Sequence, residues 1–265
     1  GGGGGGRPGG GAGGGAGASA RGSPRLRGSE ASFAPTRTAP PQRNTILLSE
    51  VRPTGDHVKQ PYPYEHAPRL APQGPIDLAS LTGQNHGPLE IEIGPGRGAF
   101  LLDRVVERPD ARIVGLEIRQ KWATIVDDRL RAMGQGERAR VYEEDARLVL
   151  PRMHPDGGVS AFFVHFPDPW WKARQRKRLV VALPLLDQIA RLLQPGGMLF
   201  VQTDVVDRGE GYEVQIDAHA AFEKDGDEPG SARLASSPWT SRGNRERRAE
   251  QDGIPVLRLR YRRKA

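Results

Sequence analysis

The sequence predicts an α/β fold: a doubly wound parallel sheet with helices on both faces, preceded by a disordered tail. Three observations predict it. Short apolar runs that end on glycine or an acid recur from residue 89 onward. Segments of 8–14 residues with helical spacing stand between them. The first 44 residues have neither pattern.

Residues 1–44 hold long glycine runs, scattered prolines, six arginines and a single acid, Glu30. Such a segment buries too little apolar surface to offset its ordering entropy, so a disordered tail is expected. Residues 45–75 are proline-rich and read as an irregular lead-in. The domain is expected over 76–265, beginning with a short helix near Ile76–Leu81. Leu89–Ile93 is a strand and Phe100–Glu107 a helix. Arg112–Ile118 is the second strand, Lys121–Met133 a helix closed by Gly134. Arg140–Tyr142 and Val159–Phe166 are strands, and Val180–Leu193 is a helix ending at Gln194-Pro195-Gly196-Gly197. Met198–Thr203 is a strand, Gly211–Phe222 a helix, and Val256–Arg262 closes the sheet.

The net charge of +7 divides unevenly: the tail carries +5, leaving the remaining residues at +2. A nucleic-acid surface must therefore come from local clustering. Cysteine is absent, which excludes disulfides, zinc–thiolate sites and cysteine nucleophiles. No run of 18 apolar residues suggests a membrane span. The start carries no apolar signal segment, so a cytoplasmic protein without metal is expected.

In doubly wound sheets ligands bind at the carboxyl ends of the strands. Acids fall there repeatedly: Glu92, Glu117, Asp145, Asp168 and Asp204. The loop Gly94-Pro95-Gly96-Arg97-Gly98 follows the first strand, and its glycines permit positive φ and close backbone approach. Such a loop also fits NAD enzymes, although the dinucleotide fingerprint places its third glycine one residue later. Glu92 beside the loop opposes a phosphate and suits a cationic ligand. S-adenosylmethionine carries an ammonium and a sulfonium and no phosphate. Glu117 stands where an acid takes ribose hydroxyls, which would serve NAD equally.

The most informative run is His165-Phe166-Pro167-Asp168-Pro169-Trp170-Trp171-Lys172-Ala173-Arg174-Gln175-Arg176-Lys177-Arg178. Prolines stiffen the turn around Asp168. Two tryptophans offer stacking faces for a base, and the cations suit phosphates. His165 reads as a packed residue more than a catalytic base. The alternation of Arg258, Arg260 and Arg262 fits an RNA surface or a solvated edge.

Together these residues resemble the bacterial tRNA (guanine-N7)-methyltransferase family, a class I S-adenosylmethionine-dependent methyltransferase group with a Rossmann-like sheet. The resemblance rests on Glu92–Gly98, Gly115–Ile118, Glu144-Asp145-Ala146, Phe166–Trp170, Lys172, 174–178 and Thr203-Asp204, and spans about residues 76–262. It implies a cofactor pocket of Glu92, Gly94, Gly96, Gly98, Glu117, Asp145 and Asp168, with Asp168 as the catalytic candidate. It implies substrate contacts from Lys172, Asp204 and Glu246, and RNA contacts from Arg174, Arg176, Lys177 and Arg178. The family's Thr-x-x-Glu element has no plain match. Thr240 lacks a glutamate at the right distance, and counting back from the closing strand favours Gly243–Glu246. The resemblance further implies a tRNA partner, modification in the variable loop, and a monomer or homodimer.

The chemistry agrees with that resemblance. Guanine N7 carries a lone pair and no proton, so alignment matters more than a base. Cytosine C5 methylation, which needs a thiolate, is excluded by the lack of cysteine. The alternatives are a same-fold methyltransferase acting on another RNA position, a protein or a small molecule, a non-catalytic RNA-binding relative, and, more distantly, an NAD enzyme.

Overall fold

The computed structural model describes Tyr64, residues 66–167 and residues 181–265. The expected disordered tail, most of the lead-in, and Asp168, Lys172, Arg174, Arg176, Lys177 and Arg178 lie outside the described residues.

The domain begins with β1 (Ile76–Asp77) and a 3-10 turn over Leu78–Leu81, capped by the Asp77 side chain. Next come β2 (Leu89–Ile93), α1 (Ala99–Glu107), β3 (Arg112–Glu117), α2 (Gln120–Ala132) and β4 (Ala139–Glu143). A short α3 (Ala146–Val149), β5 (Met153–His154) and β6 (Val159–His165) follow. The chain continues with α4 (Leu183–Leu192), β7 (Leu193–Thr203), α5 (Val206–Asp217), β8 (Phe222–Lys224), α6 (Asn244–Gln251) and β9 (Leu257–Arg263).

Among the described residues, seven strands form one sheet in the order β4-β3-β2-β6-β7-β9-β8. The first five are mutually parallel, while β9 runs antiparallel to β7 and β8. The expected parallel sheet is therefore correct for its first five strands and gains an antiparallel edge. The winding direction reverses between β2 and β6, which opens a crevice at their carboxyl ends. Strand β2 is buried along its whole length, as a central parallel strand must be.

Side chains alternate across this sheet. Ile91, Ile93, Phe162, Val164, Leu199 and Val201 face the core closed by α4 and α5. On the other face Ile113 and Val141 pack against α1 and α2 through Leu101, Val105, Val126 and Leu130. Phe100, Phe163 and Phe200 continue that face, with Trp239 against them. A buried ion pair lies beside this cluster. Arg104 donates to both oxygens of Glu90 at 2.8 and 2.9 Å, and its guanidinium sits 5.5 Å from the Phe163 ring and 5.3 Å from the Trp239 ring.

Several elements depart from the sequence expectation: β1, β5 and β8 are additional short strands, and β7 starts at Leu193 and takes in the expected turn 194–197. The expected helix Gly211–Phe222 begins earlier, at Val206, and ends at Asp217, while Phe222 starts β8. Gly209 lies inside α5 where the helix passes close to β9. A Cβ there would stand 2.4 Å from Leu257 Cδ2. Helix α3 and helix α6 were not expected either; each is short, and α6 buries only Glu246 and Ala249. Among the described residues, no helix is long and apolar enough to cross a membrane.

The described lead-in lies along the outer strand β4. Glu143 N donates to Pro68 O at 3.0 Å, and Leu70 N donates to the Glu144 carboxylate at 2.8 Å. Arg69 pairs with Glu143.

Candidate functional site

A cleft of about 570 Å³ opens at the carboxyl ends of β2, β3, β4 and β6. Ile93, Gly94, Leu116, Glu117, Asp145, His165, Phe166 and Pro167 line it. This is the crevice that the strand order requires.

The glycine loop joins β2 to α1 with φ of +73° at Gly94, +55° at Gly96 and +75° at Gly98. All three lie in the left-handed region that favours glycine. Gly98 is also sterically committed: a Cβ there would stand 2.4 Å from Val126 Cγ1. The loop is held at Gly94 N, which donates to Leu116 O at 2.8 Å.

Glu117 anchors the middle of that loop. One carboxylate oxygen accepts from Gly96 N at 2.8 Å, and the other accepts from Arg119 N at 2.9 Å. Arg119 Nε adds a contact at 3.2 Å, but its side chain is 61% exposed. An ionised carboxylate offers about four acceptor positions. The two backbone amides are fixed, and the exposed guanidinium is displaceable, so acceptor capacity remains for a hydroxyl pair in the cleft.

Asp145 caps α3 by accepting from Arg147 N at 3.0 Å, and it accepts from the Arg147 guanidinium at 2.9 Å. That guanidinium holds the Asp145 carboxyl below its usual range. Glu92 stands behind the loop, 3% exposed. One of its oxygens pairs with His165 Nδ1 at 2.8 Å; the other is buried without a partner among the described residues. The structure thus brings Glu92, the three glycines, Glu117 and Asp145 to one end of the sheet, as expected. Asp168 was expected beside them and lies outside the described residues.

Asp204, just past β7, pairs with Arg245 of α6 at 2.8 Å, and that guanidinium lies 5.6 Å from the Phe166 ring. Phe166 itself has φ of +47°, a strained value for a non-glycine residue where the chain leaves β6 for the cleft. Glu246 is fully buried and accepts from Gln202 Nε2 at 3.2 Å and Arg258 at 3.0 Å. Arg258 on β9 is therefore neither an RNA surface nor a solvated edge. Arg260 and Arg262 likewise pair with Asp225, at 2.8 and 2.7 Å. The three arginines share one face of β9, where Arg258 is buried against α6 while the Arg260 and Arg262 side chains remain 21% and 41% exposed.

The position of Thr240 separates the two readings of the substrate element. Its N and Oγ1 donate to Glu107 at 2.9 and 3.1 Å. Glu107 ends α1, about 13 Å from the glycine loop at 1.5 Å per residue. Thr240 is thus remote from the cleft, whereas Glu246 sits on the helix that reaches Asp204. Ser241 N and Oγ donate to the same Glu107 carboxylate. Burial pushes this carboxyl up, but the hydrogen bonds from Ser241 and Thr240 outweigh it and hold it at about 2. A depressed folded value stabilises the protein above the unfolded value and loses that contribution as pH falls. The latch should therefore contribute about 2 kcal/mol at pH 6, declining between roughly pH 5 and pH 2. Denaturant titrations of wild type and Glu107→Gln should differ at pH 6 and converge only as the pH falls to about 2; parallel curves would remove this contribution.

Sequence reading missed several residues that shape the site. Arg119 and Arg147 each engage an acid two positions earlier, and that spacing was visible. Gln202 and the pairing of His165 with Glu92 carried no local signal, since partners 73 and 44 residues apart meet only through the sheet.

Comparison with known proteins adds a family. A family model described as "Putative methyltransferase" matches residues 86–259. A tRNA (guanine-N(7)-)-methyltransferase of Myxococcus xanthus is 37% identical over 152 residues, covering 54% of this chain and 73% of the relative. The protein of the same name from Rhodopirellula baltica is 34% identical, covering 72% of this chain and 71% of the relative. That from Anaeromyxobacter dehalogenans is 36% identical, covering 69% and 90%.

Proposed function

The chain belongs to the tRNA (guanine-N7)-methyltransferase family, and from that premise we propose that it transfers the methyl group of S-adenosylmethionine to N7 of a guanosine in tRNA. The observation that carries this reading is the acid set around the glycine loop. Glu92 leaves one buried oxygen without a partner among the described residues, and an unpaired buried carboxylate oxygen is costly unless a cation meets it. Glu117 retains acceptor capacity for a ribose diol, and Asp145 lines the same cleft, with Glu92 one residue before the cleft-lining Ile93. Three carboxylates suit a ligand bearing an ammonium and a sulfonium and repel a pyrophosphate.

When bound, S-adenosylmethionine supplies an electrophilic methyl group. The chain's own task is alignment. Gly94, Gly96 and Gly98 let backbone approach the ligand closely. Glu92 and Glu117 fix its two ends. Asp168, one residue beyond the cleft-lining Pro167, orients the guanine or stabilises the positive charge that develops on the ring. No proton has to leave N7, so Asp168 need not act as a base. Lys172, Asp204 and Glu246 are assigned to substrate, and Arg174, Arg176, Lys177 and Arg178 to tRNA phosphates. A guanosine in the variable loop and a cytoplasmic setting complete the reading.

The test is incubation with labelled S-adenosylmethionine and unmodified tRNA, followed by digestion to nucleosides. Label in N7-methylguanosine is expected; label elsewhere, or none, refutes the proposal. Wild-type turnover by Asp168→Ala would remove that residue's role alone.

A further inference from the structure

The carboxyl ends of β2, β6 and β7 and the amino end of the antiparallel β9 share one buried polar row. His165 on β6 stands opposite Gln202 on β7, and Gln202 opposite Arg258 on β9. Glu92 on β2 joins the row through His165. All four are nine-tenths buried or more. At one end of the row the polar groups are satisfied: Glu246 accepts from Gln202 and Arg258. At the other end they are not. Among the described residues, Glu92 Oε2, His165 Nε2 and Gln202 Oε1 are buried without partners.

The His165 ring has little freedom to change this. Its centroid lies 4.1 Å from that of Phe100 and 5.7 Å from those of Phe163 and Phe200. An ionised carboxylate only accepts hydrogen bonds, so Nδ1 carries the hydrogen and donates to Glu92 Oε1. A caged ring thereby fixes the Glu92 carboxylate in one orientation and occupies one of its oxygens. The other oxygen stands two residues before Gly94, where the loop begins, and His165 itself lines the cleft.

We infer that His165 is a positioning residue: it clamps Glu92 so that the unpartnered oxygen receives the ammonium of S-adenosylmethionine. The inference rests on the cofactor reading above and adds a residue to it. His165 acts through Glu92 and does not touch the reacting atoms.

The test separates a clamp from mere packing. Wild type, His165→Phe and His165→Asn are titrated calorimetrically with S-adenosylmethionine and with 5′-methylthioadenosine, which lacks the ammonium. Phenylalanine keeps the aromatic packing and removes the donor. Asparagine places an amide nitrogen near the position of Nδ1. His165→Phe should weaken S-adenosylmethionine binding about tenfold, the worth of one hydrogen bond to a charge. It should bind methylthioadenosine as wild type does, and His165→Asn should recover most of the loss. In turnover, KM for S-adenosylmethionine should rise in His165→Phe while kcat holds. Equal weakening toward both ligands, no weakening at all, or an Asn variant as weak as Phe would overturn the inference. A wild type that binds neither ligand would instead overturn the cofactor reading on which it rests.

Discussion

Replacing Glu117 by alanine should weaken S-adenosylmethionine binding by about a hundredfold or more, since hydrogen bonds to a charged group contribute about 1.5–3 kcal/mol each. Two losses combine. The carboxylate no longer offers acceptors to the ribose hydroxyls. Gly96 N and Arg119 N also lose their acceptor at 2.8 and 2.9 Å, so the loop is no longer tied to the end of β3. Glu117→Gln should be intermediate, because its amide oxygen can still accept from one amide. Calorimetric titration measures the affinity, and a thermal melt without ligand measures the fold. Wild-type affinity in Glu117→Ala would show that the cofactor does not meet this residue.

Glu90→Ala should be the most destabilising single change described here. It leaves the Arg104 guanidinium, in a residue only 6% exposed, without its bidentate partner. Removing one member of a buried ion pair costs about 3–5 kcal/mol. Arg104 keeps a contact to Glu107 at 3.2 Å, which places the cost toward the lower end. For a domain of this size the melting temperature should fall by roughly 10 °C. Glu90→Leu combined with Arg104→Met should recover most of the loss, because apolar replacements of similar volume remove the uncompensated charge. Denaturant midpoints at constant m-value test both claims. A double variant less stable than Glu90→Ala would show that the pair is favourable beyond charge compensation.

Much of this site could be read before folding. The strand ends were marked by acids, and the glycine loop by its spacing, because both features are local. Glu117 and Asp145 were placed by counting along the chain, and both line the cleft. What escaped was set by distance. Helix α6 has too few buried residues to show a period; the sheet, through Arg258 and Gln202, dictates that Glu246 turns inward. The basic alternation on β9 left an RNA surface and a solvated edge both open because nothing in the sequence shows that Arg258 meets Glu246 or that Arg260 and Arg262 meet Asp225. His165 read as a packed residue, and its ring is packed. The carboxylate that gives it a further role lies 73 residues away.

Strand β9 carries a consequence for synthesis. It holds the late residues Leu257–Arg263, yet it sits inside the sheet between β7 and β8. Arg258 on this strand neutralises Glu246, and its neighbour Leu259 is packed in the main core. A nascent chain emerging from the ribosome can pair the first five strands in order. It cannot seat β8 or bury Glu246 until residue 263 has left the exit tunnel. At about 5–20 residues per second, a chain released only as far as α5 waits several seconds with the edge of β7 open. The seating of β9 is thus the step that closes the open edge of β7 to other chains.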